Sequence, residues 1–157
     1  MTEVVLVSCS KSKLDGIYRA ADLYEPSRIF RKRREFGRQR GDYWGVLSGK
    51  YGYLRPWDIV PAYEMHRKER SDVWAAFVLR DLVPNLGYWD ADQVTILAGK
   101  RYVDPLVPEL ESHGYDVVDY NQGLRPGERY SKLKEELQPG KQTTLTSTPH
   151  AGGGSSE

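Results

Sequence analysis

Four short loops in this sequence concentrate hydroxyl, small and cationic residues. They read Ser8-Cys9-Ser10-Lys11-Ser12-Lys13, Ser48-Gly49-Lys50-Tyr51-Gly52-Tyr53-Leu54, Ala98-Gly99-Lys100-Arg101-Tyr102 and Asn121-Gln122-Gly123-Leu124. Three of them carry lysine and three carry glycine. Small residues let backbone N–H groups approach an anion, and lysine supplies countercharge. The chemistry that fits is recognition of a phosphate-bearing ligand, with Lys11 and Lys50 on the phosphate and Ser8, Ser10 and Ser48 on polar edges. The Ser48–Gly52 stretch is not a Walker A loop, because it lacks both the spacing and the terminal Ser/Thr of that motif.

Other residues add acid, base and nucleophile candidates. Asp58 and Glu64 fall in a connection from Leu54 to Arg70, LRPWDIVPAYEMHRKER, which has two prolines and no clean period. Long irregular connections are often binding loops, and these carboxylates follow directly on the Ser48–Leu54 turn. Asp58, with Lys50 and Ser48, forms the candidate catalytic set. Cys9 sits between Lys11, Lys13 and a strand end, where it reads either as a thiolate nucleophile or as a small buried residue. His66 and His113 have no metal-ligand spacing, and a single cysteine argues against a zinc site. The sequence implies neither a metal nor a cofactor.

These loops need a frame to bring them together. Four runs rich in Val, Ile and Tyr predict strands over Glu3–Ser8, Tyr43–Leu47, Gln93–Leu97 and Tyr115–Asp119. Helical spacing predicts helices from Pro26 to Arg38, from an N-cap at Ser71 to a stop at Pro84, from Asp104–Pro105 to Gly114, and from Glu128 to Leu137. Strands alternating with helices imply a mostly parallel sheet of about four strands in an α/β three-layer sandwich. In such sheets ligands bind in a crevice at the carboxyl ends of the strands, which is where all four loops begin.

The chain of 157 residues suits one domain. Residues 1–137 are read as that α/β domain and 138–157, rich in Gly, Ser, Thr and Pro, as a flexible tail. No long apolar run or secretory leader is evident, and the lone cysteine fits a reducing cytoplasm. Lys+Arg total 23 against 22 Asp+Glu, a net +1 that excludes a globally basic nucleic-acid coat. The average hides a segment, Arg28–Arg40 (RIFRKRREFGRQR), that carries about +6 and leaves the remainder near −5. Arg31, Lys32, Arg34 and Arg38 on this predicted helix are candidate nucleic-acid contacts, and a solvated basic face is the alternative.

Several of these motifs recur together. Ser8–Lys13, Leu23–Phe30, Leu47–Gly52, Asp58–Tyr63 and Leu97–Tyr102 make the chain resemble a family of small bacterial, archaeal and phage proteins with a Ser-Cys-Ser-Lys-x-Lys signature. That family is distantly similar to YaaA-like peroxide-stress proteins and to a domain attached to archaeosine-synthesis enzymes. The resemblance implies an α/β fold and a setting in nucleic-acid metabolism, stress response or modified-base chemistry. Together with the loop pattern it selects Ser8, Ser10, Lys11, Lys13, Tyr24, Ser27, Tyr51, Gly52, Tyr63, Gly99 and Tyr102 as ligand-binding candidates. The expected function is processing of a nucleotide, nucleoside or nucleic-acid base, with Tyr24 or Tyr51 stacking on the base. The alternative is a non-catalytic DNA- or RNA-binding module that uses the basic helix.

Overall fold

In the computed structural model, residues 1–64 and 72–137 are described. The strands are β1 (Glu3–Ser8), β2 (Ile17–Arg19), β3 (Tyr43–Ser48), β4 (Gly52–Leu54), β5 (Ile59–Pro61), β6 (Gln93–Leu97) and β7 (Asp116–Asp119). The helices are α1 (Ala20–Leu23), α2 (Arg28–Arg40), α3 (Asp72–Tyr88), α4 (Lys100–Ser112) and α5 (Pro126–Glu136). β1 is the centre of a five-stranded sheet in the order β4-β3-β1-β6-β7. It runs parallel to β3 from Val4↔Tyr43 to Ser8↔Leu47, and parallel to β6 from Glu3↔Gln93 to Val7↔Leu97. β7 is parallel to β6, and only β4, beyond β3, is antiparallel.

The alternation of side chains along a strand explains why the run VVLV is apolar throughout. Val4 and Leu6 enter one core with Val78, Leu82, Leu86, Leu106 and Leu110 of α3 and α4. Val5 and Val7 enter a second core with Phe30 and Phe36 of α2 and Leu133 of α5. The chain leaves β1 through α2 to β3, then crosses back through α3 to β6 on the other side of β1. Right-handed crossovers in opposite directions put their helices on opposite faces, as the two cores require. The direction of travel therefore reverses between β1 and β6, at a topological switch point.

Several expectations need correcting. The sheet has five strands rather than four, because three-residue β4 lies inside what reads as a turn and is too short to show a pattern. The connection after Leu54 is not wholly irregular, since β5 pairs with β2 in a separate antiparallel ribbon. Pro84 does not stop α3, which continues to Tyr88. Pro84 is exposed, so the carbonyl it frees stays hydrated, while Leu82 and Leu86 on either side are fully buried. Burying two leucines contributes roughly 4 kcal/mol, against about 3 kcal/mol lost at an interior proline. α4 begins at Lys100, four residues before its expected start, and carries Pro105 and Pro108 within it. The Ser71 cap, His66 and the expected tail lie outside the described residues. Among the described residues no helix is long and apolar enough to cross a membrane.

Candidate functional site

β1 extends its ladder one residue past its end, where Cys9 N–H donates to the Leu47 carbonyl at 2.9 Å. This fixes Cys9 beside the switch point, with its Sγ 3.4 Å from the Tyr102 hydroxyl. Tyr102 stands in the first turn of α4, just after β6. Its ring stacks on Trp74 at 5.2 Å, and Trp74 Nε1–H donates to the Ser48 carbonyl at 3.1 Å. The ends of β1, β3 and β6 are thus joined by one continuous set of side chains.

Ser48, fully buried at the end of β3, organises a second group. Its Oγ accepts from the N–H of Lys50 at 3.1 Å and of Tyr51 at 2.9 Å, and lies 3.1 Å from the Tyr63 hydroxyl. A hydroxyl has two lone pairs and one proton, so Ser48, already accepting twice, must donate to Tyr63. Tyr63 Oη in turn lies 2.9 Å from Tyr24 Oη. Burial first, and then neighbouring Cys9, hold both phenols well above the usual range, so they remain protonated donors. Tyr51 meets the Tyr63 ring edge-on at 5.2 Å, and Lys13 Nζ stands 4.3 Å over that ring. Lys50 Nζ lies 5.4 Å from the Tyr51 ring centre and 5.8 Å from that of Tyr63.

Two arginines that the loop pattern does not select also reach this place. Arg33 of α2 lies within electrostatic range of Cys9, Tyr102 and Arg129, and its guanidinium is pushed down to about 10, chiefly by burial; Cys9 opposes the shift and Arg129 reinforces it. Arg129 of α5 lies over the turn before α4, where a Cβ on Gly99 would stand 3.7 Å from its Nη1. Its Nε donates to the Leu124 carbonyl at 3.3 Å. Arg33 has a helical signature, three residues after buried Phe30 and four before buried Gly37, which turns it toward the sheet. Arg129 has no comparable local signal.

All these residues lie within the part of the chain matched by the sequence pattern of DUF6884, a family of unknown function, which covers residues 4–135. The chain belongs to DUF6884. It is also 27% identical over 121 residues to the uncharacterized protein YfjM of Bacillus subtilis strain 168, covering 72% of this chain and 80% of that relative. No solved structure matches it significantly.

In this DUF6884 chain several candidates have local structural duties. Ser27 is the N-cap of α2, its Oγ accepting from the Phe30 N–H at 3.1 Å. Gly52 has a φ of 78°, and a Cβ there would stand 2.9 Å from the Phe77 ring. Asp58 is held by Arg55, with Oδ1 2.9 Å from Nη2 and Oδ2 2.8 Å from the Arg55 N–H, and it closes a turn. Among the described residues it makes no hydrogen bond to the Ser48–Tyr63–Tyr24 group. Ser8 is buried at the end of β1, Gly99 caps α4, and Ser10 Oγ accepts from the Ser12 N–H at 3.3 Å. Lys11 is exposed, its carbonyl accepting from Lys13 Nζ at 3.0 Å.

The basic helix is divided by its docking. Arg34 donates to the Ala21 carbonyl at 2.9 Å and pairs with Glu25 at 2.7 Å, while Arg31 donates to the Glu25 carbonyl at 2.6 Å. Arg38 packs over Trp44, with its guanidinium carbon 5.8 Å from the ring centre, and Lys32 is half-buried. A separate groove between α3 and α4, lined by Leu79, Arg80, Val83, Glu109 and His113, shares no residue with the strand-end cluster.

Proposed function

We propose that this chain binds and processes a nucleotide, nucleoside or nucleic-acid base. The ligand site is a crevice at the carboxyl ends of β1, β3 and β6, walled by helices in a three-layer arrangement. The observation that carries this reading is the Ser48–Tyr63–Tyr24 hydroxyl chain, assembled from three separated segments beside the Tyr51 and Tyr63 rings. Aromatic faces suit a heterocycle, and protonated phenols held in place suit its carbonyl and ring-nitrogen acceptors. If a base leaves its sugar, negative charge develops on the heterocycle, and fixed donors stabilise that charge most effectively. Tyr63, held in place by the Ser48 hydroxyl, takes the donor role, Lys50 supplies countercharge, and Asp58 serves the loop rather than the reaction. The resemblance to a family with the Ser8–Lys13 signature, itself distantly similar to YaaA-like stress proteins and the archaeosine-associated domain, supports a setting in nucleic-acid metabolism. The lone half-buried thiol fits the cytoplasm.

Binding along the basic helix alone is the weaker reading, since Arg31 and Arg34 are committed to Glu25 and Ala21. A ligand screen by thermal shift over bases, nucleosides, nucleotides and oligonucleotides separates the two. A ligand at about 100 times its Kd stabilises by about 2.7 kcal/mol, enough for a shift of several degrees. The expected result is a small-molecule response that Tyr63→Phe reduces. A response to oligonucleotides alone, falling steeply with salt and indifferent to Tyr63→Phe, would transfer the function to α2.

A further inference from the structure

We infer that Arg33 and Arg129 form a phosphate subsite at the amino end of α4, which makes the ligand a nucleoside monophosphate rather than a free base or nucleoside. The inference deepens the crevice reading above and rests on it.

Arg33 is unlike the other arginines that reach the interior. Arg34, comparably placed on the same helix, has Glu25, and even the exposed Arg40 has Glu3. Arg33 has no ion pair or hydrogen bond among the described residues, although it is half-buried and its charge is partly desolvated. Its nitrogens are not among the fully enclosed polar atoms left without partners, which include Arg34 Nε and Asn121 Oδ1. They therefore keep access to solvent, and the groups within their electrostatic range are Cys9, Arg129 and Tyr102. That set places the opening at the switch point, against the first turn of α4.

Arg129 reaches the same spot from the opposite end of the domain sequence, its Nη1 over Gly99. Two guanidiniums held in mutual repulsion, one of them desolvated, are unfavourable in the empty protein. A phosphate dianion reverses the sign of both effects, because each planar fork presents paired N–H donors to its oxygens. α4 reinforces this. Gly99 offers no side-chain cap, and the first turn holds no acid, so the positive end of the helix dipole lies at the same position. The aromatic and hydroxyl groups of Tyr51, Tyr63 and Ser48 adjoin Cys9 and Tyr102 through Trp74 and Tyr24, so base and phosphate ends belong to one crevice.

The test uses the full chain, inorganic phosphate, and four nucleosides with their 5′-monophosphates, measured by calorimetric titration and thermal shift. Phosphate is expected to raise the melting temperature, and at least one monophosphate to bind about tenfold or more tightly than its nucleoside. Arg33→Gln and Arg129→Gln should each abolish the advantage of the monophosphate while leaving nucleoside affinity within about twofold. Arg33→Lys keeps the charge but loses the fork, so it should recover only part. The exposed Lys100→Gln variant should keep most of the advantage. The subsite is overturned if wild type neither responds to phosphate nor prefers monophosphates, or if both Gln variants keep that preference. If phosphate binds through these arginines but no nucleoside or monophosphate binds more tightly than phosphate itself, the subsite stands and the nucleotide reading falls. A 5′-phosphorylated oligonucleotide that outcompetes every monophosphate overturns the mononucleotide assignment.

Discussion

The two ends of the central sheet handle charge in opposite ways. At the amino end Glu3 is saturated: Oε1 pairs with Arg40 Nε at 3.1 Å, and Oε2 accepts from Thr95 Oγ1 at 2.5 Å and Gln93 Nε2 at 3.2 Å. The neighbouring backbone is tied as well, with Thr2 N–H donating to Asp92 at 2.7 Å and Glu3 N–H to Asp42 at 2.8 Å. At the carboxyl end no carboxylate acts on Arg33, and its electrostatic neighbours are Cys9, Arg129 and Tyr102. The amino end is arranged for folding alone. On the proposal above, the carboxyl end carries a cost in the unliganded protein that an anion would relieve, a trade of stability for function.

Substitutions at either end of the sheet separate the two arrangements. The largest effect is expected for Glu3→Ala, which strands Arg40 and removes the acceptor of the buried Thr95 hydroxyl. A loss of about 2–4 kcal/mol in urea unfolding should result, with ligand responses intact. A loss below about 0.5 kcal/mol would mean that the amino-end network is not what holds it. Arg33→Met should do the reverse and stabilise the unliganded protein, on the order of 1–3 kcal/mol at neutral pH. The sign follows from a folded-state value near 10. A depressed base penalises the charged form of the folded protein at every pH below that value, and the penalty fades as pH rises toward the unfolded arginine range. Destabilisation by Arg33→Met would sink the view that the carboxyl end is uncompensated.

Ser48→Ala comes next, with an expected loss of about 1–2 kcal/mol, because two N–H groups and the Tyr63 hydroxyl lose their partner. The smallest effect concerns Glu35, in α2 between the two ends. Burial raises its carboxyl above the ordinary value despite Arg38, Arg34 and Lys32, and Oε2 has no partner. A raised acid means that the folded chain binds protons more tightly, so the penalty is full at neutral pH and fades as pH falls. Glu35→Gln should therefore raise the melting temperature at pH 7, and the gain should shrink toward about pH 4. A gain that is constant with pH would assign the effect to packing instead.

Much of the frame is legible from residue patterns. β1 and β6 fall on their expected boundaries, β3 runs one residue further to Ser48, and β7 starts one residue later at Asp116. β1, β3 and β6 are legible because burial on both faces leaves a nearly unbroken apolar run, and the half-exposed edge strand β7 shows through its paired valines. β2, β4 and β5 span three residues each and leave no such trace. The candidate site is partly legible: Ser48, Tyr24, Tyr63, Tyr102, Lys13 and Lys50 do converge with Cys9. Ser27, Gly52 and Asp58 were selected by the same patterns, yet a helix cap, a positive φ and a turn account for each. Arg33 was readable from its helical phase, hidden in a run of basic residues where total charge draws the eye from position.

Local residue pattern is enough to set the alternation of strands and helices, the composition of the loops that leave β1, β3 and β6, and the inward turn of Arg33. These are local matters, set by which face of each element is apolar. Only the tertiary structure decided that β6 lies beside β1, that Cys9 consequently meets Tyr102, and that Arg129 arrives over Gly99 from the last helix. Parallel strands with the same local pattern can be ordered in several ways. The order is selected by how whole faces pack and how crossovers turn, and no single segment contains that information.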